Sequence, residues 1–302
     1  MAAAAVSDQT TDLSKQYDTP LGLAHSTMQV LKDRIKLHYD LASDYYLSLW
    51  GEHIHHGYWP TPESEATQTK EEAQANLIQL LLDISNLPPN SSVLDVGCGI
   101  GGTSRYLASK HGSSVTGVTI SNKQVEIANR LTKAAVEGTS SSDVSDDNGF
   151  TKLGEGKVKF LELDAEKMGD FFNDQQGTFD AVWISEALSH FPNKALFFEN
   201  VMKVLKPGGK LVLADWFKDE DVDDTTFTND IKPIEDGMLL PPLCTQQGDI
   251  TWSLVQNPSL WAFAFTQGRD GIAFLQSFRA MRRGYANGSF RYAVMAFNKE
   301  TV

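Results

Sequence analysis

Positive charge is scarce in this chain: 26 Lys and Arg face 39 Asp and Glu, a formal net charge of −13 over 302 residues. Such a balance argues against a nucleic-acid partner, whose phosphates reward a basic face. It argues equally against an electrostatic hold on anionic membranes. Cysteine is scarcer still, with Cys98 and Cys244 alone, so no disulfide framework is indicated and a reducing compartment fits. No apolar run approaches the roughly 18 residues of a transmembrane helix, and stable membrane insertion is not expected. Residues 1–15 lack the charged segment and apolar core of a secretory leader. A cytoplasmic protein is the expectation. His53, His55 and His56 are close together but lack a clear carboxylate or cysteine partner at a ligand-like spacing, so no metal is expected. No internal repeat is visible.

What the chain does have is a strand that breaks into glycines, Val93-Leu94-Asp95-Val96-Gly97-Cys98-Gly99-Ile100-Gly101-Gly102. A helix opens at about Thr103. Glycine is needed where a ligand lies directly on the backbone, because a Cβ would collide with it. The helix behind the loop presents free N–H groups and a partial positive charge to that ligand. Gly97, Gly99 and Gly102 formally satisfy the dinucleotide pattern G-x-G-x-x-G, which is weak evidence alone. A dinucleotide site also wants an acid at the end of the next strand, to hold the ribose hydroxyls. That strand, Ser114 to Thr119, continues as Ile120-Ser121-Asn122 without a carboxylate.

The remaining organisation is that of an α/β domain, for which the length suffices. Residues 1–25 read as a disordered tail and 26–68 as an aromatic, histidine-bearing lid. Residues 69–215 read as the ligand-binding core, 216–289 as a cap and 290–302 as a final core strand and tail. A helix is expected from Thr69 to Ser85, followed by strands near 92–97, 114–119, 157–162, 179–185 and 209–215. Helices near 102–110, 122–136 and 193–205 alternate with them, which predicts a mostly parallel sheet with helices on both faces. Residues 138–156 are polar and of low complexity, and read as a disordered insertion. Pro207-Gly208-Gly209 is a turn signal ahead of the fifth of these strands.

Several residues at the expected strand ends can carry chemistry. Ser121 and Gln124 fit a capping box, with Gln124 alternatively supplying an amide to a ribose. Asp164, in Leu163-Asp164-Ala165-Glu166, reads either as a turn aspartate or as an acceptor for an adenine amine. Glu186 and His190 are four apart, so a helical exit from the fourth strand places them on one face as an acid/base pair. The alternative is a helix-start glutamate and a histidine tied to a backbone carbonyl. His56 and Tyr58 read as facing a ligand. Phe274, Phe278 and Met281 stand at helical spacing, a stripe that serves either as core or as substrate wall.

The D-x-G-x-G of Asp95, Gly97 and Gly99 resembles the first motif of S-adenosylmethionine-dependent methyltransferases of the Rossmann-like class. Together with His38-Tyr39-Asp40, the Trp50–Trp59 block and Leu239–Cys244, it is similar to the tocopherol methyltransferase-like family, which includes sarcosine/dimethylglycine methyltransferases. The resemblance implies S-adenosylmethionine as cofactor, held near Tyr39, Asp95, Gly97, Cys98, Gly99, Thr119, Ile120, Ser121, Gln124, Asp164, Ala165, Glu166 and Ser185. It implies Glu186, His190 and His56 as candidate catalytic groups, with Tyr58, Trp59 and Glu186 against a small-molecule acceptor. It does not settle the acceptor, the atom methylated or the oligomeric state. Ser189 stands where the family often has a glutamate. After Gln247 the chain lacks the length for a helix and edge strand normal in the family, on the order of 25 residues. A non-catalytic binding protein is therefore the alternative reading, and a nicotinamide-dependent oxidoreductase a weaker one.

Overall fold

The computed structural model describes residues 28–137, 148–238, 240–243 and 268–300. The expected tail, the first part of the 138–156 insertion and the shortened segment after Gln247 lie outside the described residues. So do Trp252, Trp261, Phe263 and Phe265, four aromatic residues of the expected cap.

The described residues open with helix α1 (Met28–Trp50) and the short α2 (Pro62–Thr67), and α3 (Lys70–Ser85) follows. Thr69 starts α3 with a capping box closed by Glu72, and Ala73, Leu77 and Leu81 bury one face. Then come β1 (Ser92–Val96), α4 (Gly102–His111), β2 (Ser114–Thr119) and α5 (Asn122–Glu137). After the insertion lie β3 (Thr151–Leu153), β4 (Gly156–Glu162), β5 (Phe179–Ser185), α6 (Lys194–Val204) and β6 (Leu205–Lys218). The short α7 (Lys232–Gly237), α8 (Gly268–Asn287) and β7 (Phe290–Asn298) complete it.

The strands form one sheet in the order β3-β4-β2-β1-β5-β6-β7. β4, β2, β1, β5 and β6 run parallel, and β3 pairs antiparallel with β4. At the far edge Gly208 donates to the Lys299 carbonyl and Lys299 to that of Gly209, while Asp219 donates to Ser289. Those end pairings run β7 antiparallel to β6. The central β1 and β5 are buried along most of their length, as strands covered on both faces must be, whereas β4 alternates. The chain order reverses at β1, which lies between β2 and β5. Ligands of open α/β sheets sit at such a switch point, beyond the carboxyl ends of the strands.

Two expectations are corrected. The insertion ends before residue 156: Thr151 to Leu153 is an edge strand with Leu153 buried, closed onto β4 by a turn at Gly154. Its polar composition masked a three-residue strand whose partner is supplied from outside the insertion. Pro207-Gly208-Gly209 falls inside β6, where the register jumps from Phe179↔Leu205 to Ala181↔Lys210. These residues bulge out of the ladder with β5, while Gly208 and Gly209 pair with Lys299. The chain divides into two compact units. One unit contains the chain up to Ala42, Leu188–Pro192 and Asp215–Ala293, and the other contains Ser43–Ala187, Asn193–Ala214 and the end from Val294.

Within the first unit, Ile231, Ile234, Leu240, Leu243, Ala280, Met281 and Phe290 form a core, with Phe278 and Tyr285 packed on it. Phe278 and Met281, read from their spacing as core or substrate wall, are therefore core. The side chain of Phe274 lies outside the described residues.

Candidate active site

The site is built at the carboxyl end of β1, in the second unit. Gly97 and Gly99 take left-handed φ values of +70° and +54°. A Cβ on Gly99 would meet nothing closer than Ile54 Cδ1 at 3.9 Å and Gln124 Nε2 at 4.0 Å. Gly99 therefore opens onto a pocket, a cradle that a side chain would fill. The N-cap of α4, Gly101, provides no side-chain cap, leaving the first N–H groups of the helix to a ligand. Beneath the loop, Asp95 is 2% exposed and accepts from Ser104 Oγ at 2.5 Å. Burial pushes its carboxyl up to about 7, against the pull of the Ser104 bond. Buried Arg105 braces the loop from the other side, donating to the Ile100 carbonyl at 2.7 Å.

At the end of β2, Thr119 Oγ1 donates to Gln124 Oε1 at 2.5 Å, and Ser121 Oγ caps the Gln124 N–H at 3.2 Å. The Gln124 backbone is thus capped while its side chain turns to Thr119 and toward Gly99. Ile120, between Thr119 and Ser121, is half-buried. Asp164 caps a single 3-10 turn by accepting from Glu166 N at 3.0 Å, and Ala165 is buried within that turn. Glu166 Oε1 accepts from Asn193 N at 2.8 Å. Ser185 ends β5, and its Oγ accepts from Trp183 Nε1 at 3.1 Å.

The histidine block lies directly on this loop. A Cβ at Gly102 would stand 2.1 Å from the Glu52 carbonyl oxygen. Gln74, from α3, holds the block by its backbone, donating to the carbonyls of His53 at 2.7 Å and His55 at 2.9 Å. Tyr58 is tied in by its own N–H to the Ala73 carbonyl at 2.7 Å, and Trp59 follows it half-buried. His53, His55 and Ile54 line the pocket with Asp95, Gly97, Cys98, Gly99, Thr103 and Ser185. Burial and the charge of Asp95 push the Cys98 thiol well above its ordinary range, so it is no thiolate.

Glu186 is the hinge of the site. It takes a left-handed φ of +55° immediately after β5. Its carboxylate receives the His56 backbone N–H at 2.8 Å and faces His56 Nδ1 at 2.6 Å. Burial raises its pKa, but the neighbouring imidazoles of His56 and His55 and the His56 hydrogen bonds outweigh this and hold it below the ordinary range.

The exit from β5 is not the helix that would put Glu186 and His190 on one face. The left-handed turn at Glu186 breaks the helix that pair required, and only a 3-10 turn, Leu188–His190, follows. His190 instead lies 3.1 Å from Tyr39 Oη, a pairing within the first unit. From the sequence His55 is weighed only for metal binding, and Gln74, Ser104 and Arg105 are not singled out. His55 had a signal, its place in the histidine cluster; the other three had none.

With this geometry in view, comparison with known proteins assigns the domain. The model of a family described as a methyltransferase domain matches residues 94–213, from inside β1 through β6. Residues 94–213 are thus similar to a methyltransferase domain. The chain is 40% identical over 174 residues to 2-methyl-6-phytyl-1,4-hydroquinone methyltransferase of Synechocystis sp., covering 57% of this chain and 47% of that protein. It is 32% identical over 201 residues to the chloroplastic tocopherol O-methyltransferase of Arabidopsis thaliana, covering 64% of this chain and 52% of that one. The chain therefore spans about half the length of these curated relatives. The fold around the methyltransferase domain matches the crystal structure of geranyl diphosphate C-methyltransferase from Streptomyces coelicolor, with a TM-score of 0.60 at 16% identity over 89% of this chain and 98% of that one. No helix among the described residues is long and apolar enough to cross a membrane.

Proposed function

We propose that this protein transfers the methyl group of S-adenosylmethionine to a small lipophilic or aromatic acceptor. The observation that carries this is the open cradle at Gly99, beside buried Asp95 and the uncapped start of α4, in a domain of this family. S-adenosylmethionine supplies a methyl group made electrophilic by its sulfonium. Asp95, Gly97, Cys98 and Gly99 would hold its methionine part, and Thr119, Ile120, Ser121 and Gln124 its ribose. Asp164, Ala165 and Glu166 would flank the adenine, with Ser185 at the β5 edge. Tyr58 and Trp59 would face the acceptor.

The protein's share of the chemistry is alignment, exclusion of water and removal of a proton. His56 is the base in this reading. Its Nδ1 faces Glu186, which orients the imidazole and stabilises the imidazolium that forms. Glu186, held ionised, supports the base and is not itself the base. Tyr39 and His190 are left out of this assignment, because they pair with one another. The relatives named for tocopherol and for a phytyl hydroquinone point to hydroxylated aromatic rings bearing an apolar chain. For the compartment we favour the cytoplasm from composition, although the Arabidopsis relative is chloroplastic. Subcellular fractionation decides it.

The test is transfer of a radiolabelled methyl group to a panel of prenylated quinols, simple phenols and small amines. Turnover of the lipophilic phenols or quinols supports the reading. Exclusive turnover of amines overturns the acceptor class. Tight cofactor binding without turnover of any class favours a non-catalytic binding protein.

A further inference from the structure

We propose that His55 receives the α-ammonium group of the cofactor and so selects for an amino-acid-bearing ligand; this rests on the methyltransferase reading above. The argument begins with a proton. His55 Nδ1 lies 2.8 Å from the His56 carbonyl oxygen. A carbonyl can only accept, so the proton sits on Nδ1 and Nε2 is left as a bare lone pair. Nε2 is buried and has no protein partner among the described residues. Leaving a buried acceptor unmet costs roughly 1–3 kcal/mol, so its presence calls for a ligand.

His55 lines the same pocket as Asp95, Gly99 and Thr103. A lone pair there takes a donor and rejects a carboxylate. The methionine part of the cofactor offers one strong donor, its ammonium, and one acceptor group, its carboxylate. The uncapped start of α4 suits the carboxylate, and His55 with Asp95 suits the ammonium. The two walls of the pocket thereby fix which way the amino acid lies.

Two features keep His55 ready for this. Burial holds its imidazole below the ordinary histidine range, so it stays neutral and accepting, although Glu186 works the other way. Gln74 clamps the carbonyls on both sides of Ile54, which fixes the ring's backbone over the loop.

The test is calorimetric titration with S-adenosylhomocysteine and with its deaminated analogue, which keeps the carboxylate and the nucleoside. The wild-type chain is expected to prefer the amine-bearing ligand by about 10- to 100-fold, as a hydrogen bond to a charged group provides. His55→Phe, which keeps the ring and removes the acceptor, is expected to shrink that preference at least about fivefold by weakening the amine-bearing ligand alone. His55→Gln, whose amide oxygen accepts, restores part of it. If His55→Phe does not fold, judged by its melting curve, an undiminished preference in His55→Ala is the result that overturns the proposal. Equal weakening of both ligands overturns it too, because it marks a role in shape alone. A wild-type chain that binds neither ligand removes the cofactor reading, and this inference with it.

Discussion

His56 Nδ1 lies 2.6 Å from Glu186 Oε2, while the His56 backbone N–H donates to the other oxygen of that carboxylate at 2.8 Å. One side chain thus holds both the backbone and the ring of its partner. Glu186 is placed for this by its left-handed φ of +55°, a conformation that costs a non-glycine residue about 1 kcal/mol and is kept where the surroundings demand it.

Glu186→Gln tests the division of labour. The amide keeps the shape and loses the charge that favours an imidazolium on His56. Turnover is expected to fall by about 10- to 100-fold. Affinity for S-adenosylhomocysteine should change by less than about twofold. Steady-state kinetics beside calorimetry separates the two. A large loss of cofactor affinity with turnover preserved would mean that Glu186 shapes the cofactor pocket instead.

Gly99 and Gly102 should fail in different ways when changed to alanine. At Gly99 the new Cβ enters open pocket space, at a positive φ that costs about 1 kcal/mol. Gly99→Ala should therefore fold, melt a few degrees lower, and lose cofactor binding by more than about tenfold. At Gly102 the helical φ would ordinarily reward alanine. There the Cβ meets the Glu52 backbone oxygen at 2.1 Å, which cannot swing aside like a side-chain tip. Gly102→Ala should displace the histidine block and destabilise by about 1–3 kcal/mol, read from urea unfolding. A Gly102→Ala variant as stable as the wild type would show that the block does not rest on the loop.

The strands and helices around the glycine loop were legible because each carries its own signal. β1 and β5 are mostly apolar, α3 opens on Thr69-x-x-Glu72, and the loop announces itself by its glycines. β3 was illegible, because three residues in a polar stretch become a strand only by pairing with β4. The helical exit expected at Glu186 was misread for a related reason: four-residue spacing implies a shared face only in a helix, and the backbone at Glu186 is left-handed. The union of Glu186 with His56 spans 130 positions, and nothing local in either segment encodes it.

Gln74 is the simplest test of what holds the block. Its Nε2 serves the carbonyls of His53 and His55 from α3, and it is 1% exposed. Gln74→Leu keeps the volume and strands those carbonyls. A loss of about 1–3 kcal/mol is expected in equilibrium unfolding. Cofactor affinity should fall as well, since His53 and His55 line the pocket. A stability loss with unchanged affinity would show that the block keeps its position without this anchor.

Asp95 gives the pH dependence its sign. Its carboxyl titrates at about 7 in the fold, because burial disfavours the ion, whereas in an unfolded chain it titrates near about 4. Between those values the folded state keeps a proton that the unfolded state has lost. The contribution of this group to stability is therefore full below about pH 4 and is lost as pH rises through about 7. Asp95→Asn removes the titration while retaining an oxygen for Ser104. The variant should match the wild type in urea unfolding at low pH and exceed it at pH 8, by an amount on the order of 2–4 kcal/mol. A bound ammonium would favour the ionised carboxylate, so binding of S-adenosylhomocysteine near pH 6 should expel a proton. Calorimetry in buffers of different ionisation heat measures that proton directly, and it should vanish in Asp95→Asn. A variant weaker than the wild type at both pH values would show that the Ser104 hydrogen bond, and not the proton, governs this site.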